Sequence, residues 1–332
     1  MAQIVRFHET GGPEVLKLET VELPLPSAGE LRISIKAIGL NRADAAFRTG
    51  RFREMPVLPS RLGEEASGVI ERIGDGVTGF KIGDRIATIP SFSQAKYGVY
   101  GDSAIVPMHC AVACVEGLSF AENAAIWMQY LTAWGGLVKT AKVGKGDFVL
   151  ISAATSSVGL AAIQIARTLG ARPIALTRTS AKRTALETAV PGTPIVFTQE
   201  QDLETEIARL TDGKGARVVF DPVGGSTFGN LAKAAAAGGI LVVYGGLSTE
   251  PTLLPTFPLI MKGLTVRGYG MSEISRDPVA LSEGKAFVLD GLRKGLFRPV
   301  IARMFPLSEI VAAHRFLESN GQVGKIVVQV AD

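Results

Sequence analysis

The stretch Asp147 to Ala171, DFVLISAATSSVGLAAIQIARTLGA, limits the possible folds more than any other part of the chain. Phe148 to Ser152 is a short apolar run with β-branched content, which predicts a buried strand. Ser152 to Gly159, SAATSSVG, is a run of small residues. Val158, Ala162, Ile165, Ala166 and Leu169 then recur at helical spacing, and Gly170 stops the helix. A strand, a tight small-residue turn and a helix open a dinucleotide-binding unit. Small side chains let the backbone approach a pyrophosphate, and the first N–H groups of the helix carry the positive end of its dipole. The usual glycine fingerprint is imperfect, because Ala154 and Ser156 take the first two glycine places and only Gly159 remains. Ala154, Ser156, Ser157, Val158 and Gly159 are therefore the candidate coenzyme cradle.

The residues that follow repeat the theme. A strand is predicted over Pro173 to Thr177, a helix over Ala181 to Thr188, and a short strand over Ile195 to Thr198. A helix follows over Asp202 to Thr211, a strand over Arg217 to Asp221 and a helix over Phe228 to Ala237. Strand Ile240 to Tyr244, helix Phe257 to Lys262 and strand Leu264 to Gly268 complete the series. Alternating buried strands and helices imply a parallel sheet covered on both faces, with ligand at the carboxyl ends of the strands. Helix Pro278 to Lys294 comes next, and the last strand lies in Gly324 to Val330.

Upstream the period is different. Gln3 to Phe7, Leu16 to Glu22, Leu31 to Leu40 and Ala66 to Ile73 read as strands punctuated by Gly and Pro. Arg32 to Ile38 alternates strictly, as a half-buried antiparallel strand should. A partly open barrel is expected here, and a strand left over after the parallel sheet, Gly324 to Val330, is expected to return to it. The helical period begins at Ala121. The expected domains are 1–123 with 299–332, and 124–298.

Composition excludes several classes. The chain has 332 residues, enough for two domains. Its net charge of +4 comes from scattered basic residues with no block of five, which argues against nucleic-acid or membrane surfaces. Two cysteines, Cys110 and Cys114, do not make a disulfide framework and fit a reducing compartment. No stretch reaches about 18 uninterrupted apolar residues, so a cytoplasmic protein is expected.

Seven stretches in collinear order carry a family resemblance. They are GGPEVLKLE (Gly11 to Glu19), GLNRADAAFRTGRF (Gly39 to Phe52), LGEEASGVIERIGDGVTGFKIGDRI (Leu62 to Ile86) and WMQYLTAWGGL (Trp127 to Leu137). The strand–turn–helix stretch, FDPVGG (Phe220 to Gly225) and GKIVVQV (Gly324 to Val330) complete the set. The chain resembles the medium-chain dehydrogenase/reductase superfamily, in its zinc-independent quinone oxidoreductase (zeta-crystallin-like) branch. The resemblance implies a mixed α/β fold: a GroES-like β-barrel catalytic domain plus a doubly wound parallel-sheet Rossmann domain. It also implies a homodimer built by joining Rossmann sheets edge to edge.

Zinc needs three or four converging Cys, His or carboxylate groups. Here the position of the first family cysteine is Leu40 or Asn41, and the family's Gly-His-Glu reads Gly63-Glu64-Glu65. The four-cysteine lobe is replaced by SFSQAKYGVYGDS, Ser91 to Ser103. His8, His109 and His314 have no motif and read as surface or packing residues. No metal is expected. Without a Lewis acid, hydride transfer to an electron-poor quinone or enone fits better than alcohol oxidation, because the acceptor spreads the negative charge by conjugation.

An NAD site usually places an acid about 20 residues beyond the glycine motif, on the ribose 2′-hydroxyl. This chain reads Leu176-Thr177-Arg178-Thr179-Ser180-Ala181-Lys182-Arg183, with cations and hydroxyls instead. Arg178, Thr179 and Lys182 suit a 2′-phosphate, so NADPH is the expected coenzyme. The resemblance adds Gln129 and Thr132 at the nicotinamide, Gly245, Gly246 and Ser248 at the coenzyme edge, and Lys325 at a coenzyme phosphate. It places Asn41 and Asp44 on the loop lining the substrate site. Asn41 would donate to a carbonyl oxygen, and Asp44 would orient water or a side chain. Tyr97 or Tyr100 would offer a phenol to the acceptor. Ala46 stands where relatives often carry tyrosine, which implies a wider pocket. An enoyl-thioester reductase of the same fold and an NADPH-binding protein without turnover stay open as alternatives.

Overall fold

Alternation along Glu30–Gly39 buries Leu31, Ile33, Ile35 and Ala37 while Arg32, Ser34 and Lys36 stay half exposed, and that strand is the axis of the first body. The computed structural model describes residues 1–331. In chain order the early strands are β1 (Ala2–Arg6), β2 (Lys17–Val21), β3 (Glu30–Gly39), β4 (Ala66–Ile73), β5 (Arg85–Thr88), β6 (Ser103–Pro107) and β7 (Ala111–Ala113). Six more follow: β8 (Phe148–Ile151), β9 (Arg172–Thr177), β10 (Ile195–Phe197), β11 (Ala216–Asp221), β12 (Ala235–Val243) and β13 (Thr265–Gly268). The last are β14 (Ile301–Pro306) and β15 (Lys325–Gln329). The helices used below are α1 (Arg42–Arg48), α2 (Ser157–Thr168), α3 (Thr256–Lys262) and α4 (Ile310–Glu318).

Two units emerge. The first joins Met1–Met128 to the chain from Pro299 onward, and the second is Gln129–Arg298. In the first, β4 pairs with one edge of β3, while β6 takes residues Glu30 to Ser34 and β15 takes Ala37 to Gly39 along the other. One strand hydrogen-bonded in this way to three antiparallel neighbours curls the sheet. Register shifts at Arg32/Ile33 and Ile35/Ala37 sharpen the curl, as bulges do. The leftover strand does return here, with Val327 opposite Gly39. Phe7, Leu31, Ile33, Phe47, Val106 and Val328 are among the fully buried side chains filling the interior. Each such side chain contributes roughly 1.5–3 kcal/mol.

The second unit is a six-stranded parallel sheet in the order β10-β9-β8-β11-β12-β13, the doubly wound order in which the chain reverses direction between β8 and β11. Leu150, Ile174, Val219, Phe228 and Leu241 are buried in its core. One predicted boundary is corrected. The helix expected to run to Ala237 stops at Ala234, and Ala235 to Ala237 begin β12 instead. Ala235 pairs with Ala216 and is 1 % exposed, so sheet pairing overrides the helical preference of alanine. Strands β5, β6, β7 and β14, not predicted individually, are three to six residues long.

Candidate functional site

In the second unit the carboxyl end of β8 runs into the small-residue turn. Ala153 takes a left-handed conformation (φ 46°), and the chain then enters α2. Ser156 caps the helix, its hydroxyl accepting the Gly159 N–H at 3.0 Å. A Cβ on Gly159 would stand 2.7 Å from both the Ala153 carbonyl oxygen and the Ala154 Cα. That is the packing task of the last glycine in the fingerprint. Ala154 is buried and donates its N–H to Leu176 at 3.0 Å, locking the turn onto the end of β9. Ser156, Ser157 and Val158 are half-buried at the helix start. The Ser152 hydroxyl is buried at the strand end without a hydrogen-bond partner. The residues present fit a dinucleotide.

Beyond β9, Arg178 is exposed and Lys182 half-buried. Burial first, and then the neighbouring Arg178 guanidinium, lower the Lys182 pKa, so these two cations stand close together. Thr179 lies between them. One acid reaches this place through the fold: Glu200, in the turn after β10, accepts the Ser180 N–H at 2.9 Å and the Ser180 hydroxyl at 3.2 Å. At the end of β12 a Cβ on Gly245 would lie 3.0 Å from the Pro222 oxygen, and one on Gly225 would lie 2.2 Å from the Ser248 hydroxyl. The FDPVGG loop and the Gly245–Ser248 turn therefore pack backbone to backbone. Asp221 holds that loop, accepting the N–H of Val223 and of Gly224 at 3.1 and 2.9 Å. Gln129 and Thr132 are buried on the helix Trp127–Trp134.

In the first unit, the loop after β3 meets two buried polar groups. The first is built on Lys325, whose ammonium lies 2.6 Å from Glu65 Oε2 and 2.6 Å from Asn41 Oδ1. Glu65 Oε1 accepts the Met128 N–H at 3.0 Å. The Asn41 amide donates to Gly39 O at 3.1 Å and to Glu65 at 3.2 Å. A Cβ on Gly39 would fall 1.9 Å from the Ala124 oxygen and 2.8 Å from the Lys325 Cε, so glycine is required for this closeness. Lys325 is 1 % exposed and bonded to Glu65 and Asn41, and both Asn41 amide hydrogens are donated within the protein.

The second group is a directed chain of hydrogen bonds. A guanidinium only donates, which fixes every role along it. Arg48 donates to His314 Nδ1 at 3.3 Å, so His314 carries its proton on Nε2 and donates to the Tyr100 oxygen at 3.2 Å. Tyr100 in turn donates to Asp44 Oδ2 at 2.9 Å. Asp44 also accepts the Asn41 N–H at 2.8 Å, while its Oδ1 is buried without a partner. Arg48 is anchored by Glu318 at 2.5 Å and by the Gly11 oxygen at 3.2 Å. Gly63, at φ 94°, lies on the Tyr100 ring, where a Cβ would come within 2.2 Å.

Electrostatics follow from burial. Burial drives the Asp44 carboxyl up to about 7 against the pull of the Asn41 N–H, Tyr100 and Lys325, with Glu65 adding to the rise. Burial and then Asp44 push Glu64 up to about 8. His314 falls to about 3, through burial and then Arg48, and is neutral. The Tyr100 phenol is raised by burial and by Asp44 beside it, so it stays protonated. Tyr100 is therefore a phenol already engaged on both sides, and Tyr97 donates to Glu30 at 2.7 Å. Sequence alone reads His314 as a surface or packing residue and gives Arg48 no role; in the structure both are buried and complete the Asp44 chain. Among the described residues no three His, Cys, Asp or Glu side chains group as metal ligands.

Residues 27–151 match the alcohol dehydrogenase GroES-like domain family, and residues 157–283 match the zinc-binding dehydrogenase family. A quinone oxidoreductase of Lama guanicoe is 30 % identical over 335 residues, covering 99 % of this chain and 97 % of that protein. The solved structure of Escherichia coli quinone oxidoreductase complexed with NADPH is 29 % identical with a TM-score of 0.89, covering 99 % of this chain and all of that one. A structure of an NAD-dependent alcohol dehydrogenase is 32 % identical with a TM-score of 0.91, with coverage of 99 % and 100 %.

Proposed function

From the premise that this chain belongs to the medium-chain dehydrogenase/reductase superfamily, in its quinone oxidoreductase branch, we propose that it is an NADPH-dependent reductase of quinones or α,β-unsaturated carbonyl compounds. The observation that carries the coenzyme reading is the Arg178–Lys182 cation pair beyond β9, next to a capped helix start whose Gly159 admits no side chain. When bound, NADPH supplies the hydride. The chain supplies anion-binding N–H groups at Ser157 and Val158, with the dipole of α2 behind them. Arg178 and Lys182 add charge for a 2′-phosphate, with Thr179 between them. The Gly245–Ser248 turn, with Gln129 and Thr132, completes the proposed coenzyme-binding set.

Asn41, Asp44 and Tyr100 act in this reading as positioning residues that fix the loop before α1. Zinc independence is proposed on the donor set: the place of the family histidine is Glu64, an acid held protonated near neutrality, and Glu65 is tied to Lys325. A protonated carboxyl and an ammonium-bound carboxylate are poor ligands for a divalent metal. A homodimer is proposed through the free edge of the parallel sheet, where β13 is exposed along its length. A cytoplasmic location is proposed on the two free thiols, Cys110 and Cys114. Steady-state assay with NADPH and phenanthrenequinone tests the function. Turnover is expected, and coenzyme binding without turnover on quinone or enone would overturn it.

A further inference from the structure

The acid that an NAD site carries at the end of its second strand is missing from the sequence of this chain, but the fold delivers one from the third. Thr198 N–H bonds Thr177 O at 2.9 Å, and Gln199 N–H bonds Arg178 O at 2.9 Å. These main-chain bonds lay the exit of β10 along the exit of β9. They aim Glu200 at Ser180, where one carboxylate oxygen takes both the N–H and the hydroxyl. Sequence spacing from the glycine turn does not find this residue, because Glu200 follows Ser180 by 20 positions and an intervening helix and strand.

We infer that Glu200 is a specificity-determining residue, binding the ribose hydroxyls of NADH and competing with the 2′-phosphate of NADPH for the Ser180 N–H and hydroxyl, beside the Arg178 and Lys182 cations. The inference rests on the coenzyme reading given above and goes beyond it by assigning a second coenzyme to the same donors. A carboxylate accepts hydrogen bonds from a ribose diol, which is the ordinary task of an acid in such a site. A phosphate is itself an anion and seeks the donors that Glu200 occupies, so the two exclude one another. Glu200 is exposed, so releasing it to water leaves no buried charge behind. The site thus has two settings: the carboxylate seated on Ser180 for the unphosphorylated coenzyme, or swung out for the phosphorylated one.

The test is fluorescence titration of the full chain with NADPH and with NADH, in wild type, E200Q and R178A. E200Q is expected to tighten NADPH and weaken NADH, raising the Kd(NADH)/Kd(NADPH) ratio by about tenfold. R178A is expected to move the same ratio the other way. Equal shifts for both coenzymes in E200Q, or no shift, would show that Glu200 only braces the Ser180 turn and would overturn the inference alone. A wild-type chain that binds neither coenzyme would overturn the parent reading and this one together. Matching melting curves for the variants keep a folding defect from imitating either result.

Discussion

Gly159 and Asp44 show how a single atom decides what a position can do. A methyl group on Gly159 meets carbonyl and Cα atoms at 2.7 Å that belong to the turn itself and cannot rotate away. Gly159→Ala is expected to cost about 1–3 kcal/mol of stability as overpacking and to weaken NADPH binding, read by thermal melting and by titration. Asp44 makes a pH prediction with a definite sign. Its folded-state pKa rises from 3.8 to about 7, so its proton stabilises the fold fully below about pH 4, and that contribution is lost as pH rises through 7. Asp44→Asn should therefore flatten the fall in urea midpoint between pH 4 and 7. His314 works in the opposite direction, since a lowered base favours the fold above 6.5 and is lost on acidification, but it is common to both proteins. An unchanged slope would mean that Asp44 does not titrate in that window. Little of this was legible beforehand. Asp44, Tyr100 and His314 are 56 and 214 residues apart, and only the pairing of distant strands brings them together. Gly159, by contrast, is found in the sequence as the last glycine place of the turn, because strand, turn and helix are local in sequence.

Elements were legible where their hydrogen bonds and apolar periodicity are local. The strand–turn–helix over 147–171 is one such case, and so is β3, whose alternation matches its burial. Short strands such as β7, three residues long, carry no period to read, and the alanines of 235–237 carry a misleading one. Neighbouring strands settled both. The edge strand β13 is a different kind of element, since its residues are exposed and nothing among the described residues pairs with its outer side. Beside it, α3 shows Phe257 at 74 % and Ile260 at 73 % exposure. Exposed apolar surface along an open edge is a docking face or a liability. Phe257→Glu should therefore convert a dimer to monomers in sedimentation velocity while leaving NADPH affinity unchanged. A wild-type monomer would dismiss the dimer.

At the scale of the whole molecule, the first unit is assembled from both ends of the chain. Lys325 on β15 neutralises Glu65 before β4, and the pair is buried. Removing one partner of a buried pair leaves an uncompensated charge, so Lys325→Met is expected to destabilise by about 3–5 kcal/mol in urea unfolding. Adding Glu65→Gln should restore much of that loss, and failure of the second change to do so would show that Lys325 matters for packing alone. The same pair has a consequence for biosynthesis. Glu65 leaves the ribosome 260 residues ahead of the ammonium that balances it, so until the end of translation the barrel would have to close around a carboxylate that lacks its counter-charge. Half-made chains should accordingly stay open and protease-sensitive at their leading end, even once the parallel sheet behind them has formed.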